Sequence, residues 1–199
     1  MTNHYFVSNP VTPSKEKRIN YKIYDKSLSL ITDTNVFAKN GVDYGSDTLL
    51  KVILPYIDTG KVLDIGCGYG VIGLSIAIHK PDIQVVCSDI NQRAVLLSKK
   101  NAHALKLSKR VTVLQSDLYE KIEGKFDYVI SNPPIRAGKK VLDLIYTGAH
   151  DHLNTSGSLM IVVRKKQGAE STVRRLKEIY AKVEVLAKDK GYWIIKSTK

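Results

Sequence analysis

The sequence predicts an α/β fold: a seven-stranded, mostly parallel sheet with helices on both faces, an antiparallel C-terminal strand and a small N-terminal β extension. Three observations lead there. From Val62 onward, short apolar runs alternate with stretches of helical periodicity, the pattern of successive βα units. Four of those runs end in polar turns, at the edge where open α/β sheets take up ligands. At 199 residues and 43% apolar composition, the chain suits one compact domain with a sizeable core.

Taken in order, residues 1–18 carry Pro10, Pro13 and the cluster Lys15, Lys17, Arg18, and read as a mobile or loosely packed basic arm. Residues 19–37 alternate, with Ile19, Tyr21 and Ile23 before Asp25-Lys26 and Leu28, Leu30 and Thr32 after it. That is a β-hairpin. A turn over residues 41–46 follows, with Ser46 the expected N-cap of a helix carrying Leu49, Leu50, Val52 and Ile53. The arm and hairpin are thus assigned to residues 1–45 and the main domain to 46–199. Gly60 introduces a strand over 62–65, and Val71, Ile72, Leu74, Ile76 and Ala77 mark the helix behind it. A strand over 84–89 ends in an acid, and Asn91 caps a helix through Ala94, Leu97 and Ala102. Strands over 111–114 and 126–130 come next, then a helix over 141–153 ended before Gly157. A strand over 159–163, a helix over 169–180 and a hairpin-like pair, 183–186 and 192–195, complete the chain.

Charge and cysteine content bound the function. Thirty-one Lys and Arg against nineteen Asp and Glu give +12, a balance that favours a polyanionic partner such as nucleic acid. No apolar run reaches the roughly 18 residues of a membrane span, and residues 1–10 lack the apolar core of a secretory signal. The two cysteines, Cys67 and Cys87, fit neither a disulfide framework nor a zinc site, so a reducing, cytoplasmic setting is expected. The five histidines show no ligand spacing, and no metal is expected.

The stretch Val62 to Gly70 carries the first motif. An apolar strand ends in a carboxylate, and three glycines at alternate positions let a ligand lie against bare main chain at the start of a helix. Gly68 to Gly73 satisfies G-x-G-x-x-G, which on its own is compatible with a dinucleotide site. Asp64, two residues ahead of Gly66, extends the pattern to D-x-G-C-G-x-G, which resembles motif I of class I S-adenosylmethionine-dependent methyltransferases. The resemblance implies a Rossmann-like domain whose cofactor, S-adenosylmethionine, lays its methionine end along Asp64, Gly66, Cys67, Gly68 and Gly70, with Ser46 nearby. Asp89, about twenty residues on and with Ile90 beside it, is placed to accept bonds from the ribose hydroxyls. Asp117 would meet the adenine amine, with Leu118 covering the ring.

Asn132-Pro133-Pro134-Ile135 is the more specific signal. Two prolines offer no N–H and a restricted φ, so the Asn132 side chain and the Pro133 carbonyl stand at fixed positions. Two fixed acceptors can take both hydrogens of an exocyclic amine and turn its lone pair out of the ring. The chain therefore resembles N-methyltransferases of planar amines, which carry Asn or Asp followed by Pro-Pro. Adenine and glutamine enzymes usually place an aromatic residue fourth; Ile135 is similar instead to the ribosomal RNA guanine-N2 methyltransferases of the small-subunit type. Val36-Phe37, residues 41–46 and residues 190–192 also resemble that family. Longer members carry a second, degenerate domain in front, so this chain resembles the short form.

That resemblance implies a monomeric enzyme that methylates guanine N2 in 16S-type ribosomal RNA or the assembled subunit, with Ile135 packed on a flipped base. Arg136, Lys139 and Lys140, directly after the motif, are the first candidates for RNA phosphates. Arg164, Lys165 and Lys166 are further ones, while Arg174 and Arg175 read as a solvated helix face. Competing readings are an N-methyltransferase of adenine or protein glutamine, and a catalytically silent RNA-binding factor. A nicotinamide oxidoreductase leaves Asn132-Pro133-Pro134 unexplained.

Overall fold

The computed structural model describes residues 13–34, 36–134 and 138–199. Strands β1 (Lys17–Ile23) and β2 (Lys26–Thr32) form the expected antiparallel hairpin. Helix α1 (Tyr44–Ile53) leads into β3 (Gly60–Ile65), α2 (Val71–His79), β4 (Ile83–Asp89), α3 (Gln92–Ala104), β5 (Val111–Gln115) and β6 (Phe126–Ser131). Helix α4 (Lys139–His152), β7 (Leu153–Arg164), α5 (Ala169–Lys177), β8 (Lys182–Asp189) and β9 (Tyr192–Thr198) complete it. The seven main strands run in the order β5-β4-β3-β6-β7-β9-β8, all parallel except β9, which pairs antiparallel with both neighbours.

Alternation along the strands divides the core. Val62, Ile130, Met160 and Val162 face one side, where α1, α2 and α3 pack; Leu63, Val129, Leu159 and Ile161 face the other, under α4 and α5. Tyr21, Ile23, Leu28 and Leu30 of the hairpin join the first side. Buried Asn101 of α3 fastens the hairpin by accepting from Ile31 N at 2.7 Å and donating to Ile31 O at 2.9 Å, while also donating to Tyr69 O at 2.9 Å.

Several expectations change. Helix α1 begins at Tyr44 with Asp43 as its cap, because the Asp43 carboxylate accepts from both Gly45 N and Ser46 N; Ser46 lies inside the first turn. Strand β7 begins at Leu153, six residues earlier than expected, and Gly157 sits within it rather than in a loop. A Cβ there would stand 2.9 Å from Asn154 O and 3.1 Å from Asp127 O, so only glycine permits the close pairing with β6. Helix α5 ends at Lys177, short of Tyr180. Of the basic arm, residues 1–12 lie outside the described residues, and the next three are tied down. Ser14 Oγ and Lys15 N donate to Asp33 at 2.5 Å each, and Thr34 Oγ1 donates to Pro13 O at 2.7 Å.

Candidate active site

Strand order reverses between β3 and β6: connections from β3 lead toward β4, those from β6 toward β7. Ligands collect at such a switch, beyond the strands' carboxyl ends. Asp64 lies opposite Ile130 in the pairing, which brings the Asp64–Gly70 turn and Asn132 to one crevice. Ser131 Oγ locks the two strand ends together by donating to Ile65 O at 2.8 Å.

On the β3 side the turn is folded by Gly66 N and Cys67 N, which donate to Ser88 O at 2.9 and 3.0 Å. Gly66 and Gly68 take φ of 71° and 56°, and a Cβ on either would meet nothing within 4 Å. They supply a left-handed bend with an open face. Gly73 serves packing instead: a Cβ there would lie 2.5 Å from Cys87 Sγ. Asp64 is fully buried; Oδ2 accepts from Gly73 N at 2.8 Å, and Oδ1 has no partner among the described residues. Burial, opposed by the Gly73 bond and helped by the Asp89 charge, pushes its carboxyl up to about 7.

Asp89 closes the cradle. Its Oδ2 accepts from Gly68 N at 2.8 Å and its Oδ1 from Asn91 N at 2.9 Å, and burial raises its carboxyl above the usual range despite those bonds. Asn91 caps α3 as expected, accepting from Arg93 N and Ala94 N. Ile90 is half-buried and its carbonyl takes a bond from Gln115 Nε2 at 2.9 Å. Asp117 is exposed beyond β5, and Leu118 beside it is held at φ 44°. Cys67 turns its thiol into the core beside Cys87; that neighbour and burial hold it well above its ordinary pKa. The open face of the turn therefore presents Cys67 main chain, not its sulfur.

On the β6 side, Asn132 Nδ2 donates to Asp43 Oδ1 at 3.1 Å and to Ser46 Oγ at 3.0 Å. A carboxylate only accepts, so the contact fixes which end of the amide faces it and leaves Asn132 Oδ1 as the end available to a ligand. Neither Asp43 nor Ser46 was expected in this role. The pair is visible only across the 89 residues that separate Asp43 from Asn132. Tyr69, whose buried hydroxyl has no partner among the described residues, is a second unforeseen group; burial and then the Asp43 charge raise its pKa. Pro133 is buried and Pro134 half-buried behind Asn132. Ile135 and Arg136 lie outside the described residues, while Lys139 and Lys140 are exposed at the start of α4. Among the described residues, no helix is long and apolar enough to cross a membrane.

A family model for the methyltransferase small domain matches residues 27–196. An uncharacterised protein of Bacillus subtilis, YbxB, is 40% identical over the full length of both chains. The ribosomal RNA small subunit methyltransferase C of Erwinia tasmaniensis is 40% identical over 68% of this chain, and the Salmonella newport protein of that name 38%. This chain spans only 40% of the length of those two. A Thermus thermophilus 16S rRNA N2 methyltransferase, solved with AdoMet and guanosine, superposes with a TM-score of 0.84 at 24% identity, over 96% of this chain and 52% of that one. A Pyrococcus furiosus methyltransferase superposes at 0.67 with 20% identity, over 76% and 80%.

Proposed function

The chain belongs to the methyltransferase small-domain family, and from that premise we propose that it methylates the exocyclic N2 amine of a guanine in small-subunit ribosomal RNA, using S-adenosylmethionine. The named ribosomal RNA methyltransferases among its relatives support the substrate class. The residues of the β3 side fit the cofactor. Asp64 Oδ1 is a buried acceptor without a partner among the described residues, suited to an ammonium group; the faces of Gly66 and Gly68 are open; and both Asp89 oxygens keep a lone pair for ribose hydroxyls. Bound there, S-adenosylmethionine supplies an electrophilic methyl group on a sulfonium.

The chain's own contribution is positioning. Guanine N2 has its lone pair delocalised into the ring and is a poor nucleophile. Asn132 Oδ1 and the Pro133 carbonyl accept its two hydrogens and hold the amine so that the lone pair points at the methyl carbon. Prolines at 133 and 134 put no competing N–H beside these acceptors. Once methylated, the nitrogen carries a labile proton that water can take. Alignment of this kind can remove a large part of a barrier, on the order of several kcal/mol. Because a paired guanine cannot present N2 to a crevice, the base must be flipped or unpaired.

The observation that carries the reading is the bond from Asn132 Nδ2 to Asp43, which turns the carbonyl end of Asn132 outward. The test is transfer of labelled methyl to purified small subunits and to free ribosomal RNA, by wild type and Asn132→Ala, followed by nucleoside analysis. N2-methylguanosine made by wild type and absent with the mutant is expected. Label in adenine, or in protein alone, would overturn the guanine assignment.

A further inference from the structure

Beyond Asn132 the carboxyl edge continues across β7 and the β8–β9 turn, and it is basic. Arg164 ends β7, Lys165 and Lys166 follow it, and Lys190 lies in the turn; all four are exposed. Among the described residues none of the four makes an ion pair, although cations elsewhere do: Lys51 with Asp47, Lys100 with Glu16, Arg175 with Asp143 and Glu178. Two acids border the patch: Asp189, engaged by the Tyr44 hydroxyl, and Glu170, which lines a surface hollow with Lys165 and Lys166.

Two of these cations, Arg164 and Lys190, rest on rings. The Arg164 guanidinium lies 4.7 Å from the Tyr192 ring centroid and also donates to its hydroxyl; Lys190 Nζ lies 4.9 Å from the Tyr44 ring. The two rings are 5.5 Å apart and tilted at 47°. Gly45 makes room for this, since a Cβ there would come within 3.0 Å of Tyr192 Cε1. Lys165 N donates to Gly191 O at 2.7 Å, joining the segment after β7 to the turn. A chain of contacts therefore runs from Asn132 through Asp43 and its neighbour Tyr44 to Tyr192 and Arg164. Arg164 stands three residues past Ile161, the partner of Ser131, or about 10 Å further along the adjacent strand.

Resting on the RNA reading above, we propose that this edge is the platform for the RNA strand that flanks the target guanine. Arg164, Lys165 and Lys190 take its phosphates, and Tyr44 and Tyr192 lie under its sugars and bases. Unpaired cations release counterions when phosphates replace water and salt. Cations already resting on rings lose less side-chain freedom than free lysines would. A lipid surface fits worse: an interfacial site inserts exposed apolar side chains, and the exposed large apolar residues, such as Phe37, Leu96 and Leu144, lie on other segments.

The test uses a labelled transcript of small-subunit ribosomal RNA, titrated over a range of salt with wild type and with Arg164→Gln/Lys165→Gln/Lys190→Gln. Three lost contacts at roughly 0.7 each should lower the slope of log affinity against log salt by about 2. KM for RNA should rise about tenfold or more, with kcat and S-adenosylmethionine affinity unchanged. Arg164→Lys should behave like wild type, which a purely structural guanidinium would not. If the triple variant melts early, Lys165→Glu on an exposed side chain should by itself lower the slope by about 1. An unchanged slope and KM in the triple variant, with a wild type that methylates RNA, would overturn the platform and leave the enzyme. A wild type that neither binds nor methylates RNA would overturn both. Polyglutamate or anionic vesicles competing as well as RNA would reassign the patch to another partner.

Discussion

Along the carboxyl edge of the β3 and β4 strands, the candidate cofactor carboxylates are packed in the protein and bonded to main-chain amides. Along the edge of β7 and the β8–β9 turn, cations lie on rings and face water. Asp64 receives Gly73 N, and Asp89 receives Gly68 N and Asn91 N; Arg164 and Lys190 have rings beneath them and, among the described residues, no ion-paired carboxylate. The first half can recognise a small molecule, because buried acceptors at fixed positions discriminate by leaving mismatched groups unpaired. The second suits a polymer, because many weak contacts with a charged chain need reach rather than fit. Asn132 stands at the seam, and Asp43 holds it there from the basic half's own helix.

The sharpest way to break this division is at the seam. Asp43→Ala removes the acceptor-only partner of Asn132 Nδ2 and leaves Ser46 Oγ, a hydroxyl that can donate as well as accept, so the amide can turn and present the wrong end to the amine. The expected fall in kcat is about tenfold to a hundredfold, with S-adenosylmethionine affinity unchanged. Loss of the α1 cap should also lower stability by about 1 kcal/mol, measurable by denaturant unfolding. Asp43→Asn keeps a carbonyl acceptor and a good cap, so it should recover most of the rate. If Asn fares no better than Ala, the carboxylate does something other than position Asn132.

A smaller effect probes the buried half alone. The Asp64 carboxyl is pushed up to about 7 by burial. Its folded value lies above the unfolded one, so its contribution to the ligand-free protein's stability is full at low pH and is lost as pH rises through 7. A cationic amino group placed at Oδ1 reverses the preference and favours the carboxylate. S-adenosylmethionine should therefore bind more tightly as pH rises, by close to tenfold between about pH 6 and pH 7.5, with proton release visible by calorimetry in buffers of different ionisation heat. Asp64→Asn should flatten that dependence. A flat profile in wild type would mean that Oδ1 does not meet the cofactor's charge.

The two halves also differ in how far the sequence reveals them. Asp64 to Gly70 and Asp89 are read from one short motif and one fixed offset, because a strand, a turn and a helix are local objects. The seven strands follow from the same local pattern, whereas the reversal of strand order between β3 and β6 belongs to the assembled sheet. The basic platform is assembled from Tyr44, Arg164 and Lys190, which no periodicity connects; antiparallel β9 brings Tyr192 opposite Arg164, and a sequence does not announce that register. The Asp43 clamp was missed for a similar reason. Ser46 reads as the better cap from its place before the apolar run, and only tertiary contact with Asn132 gives Asp43 a second role. Gly157 misled in the opposite direction, as a strand glycine that looks like a turn.

The smallest expected effect concerns Lys139 and Lys140, exposed at the start of α4. They begin a helix that has no side-chain cap, at the end where its dipole is positive, so each lysine is electrostatically misplaced there. Replacing both with Gln should therefore stabilise the protein by about 0.3–1 kcal/mol. If they also meet RNA phosphates, the same change should lower the salt slope by no more than about 1.4 and weaken RNA binding a few-fold at moderate salt. Opposite signs on stability and binding would identify charges kept at a folding cost because the polymer needs them. Greater stability with unchanged RNA affinity would confine RNA contact to the β7 and β9 edge, and the site would be basic on one flank only.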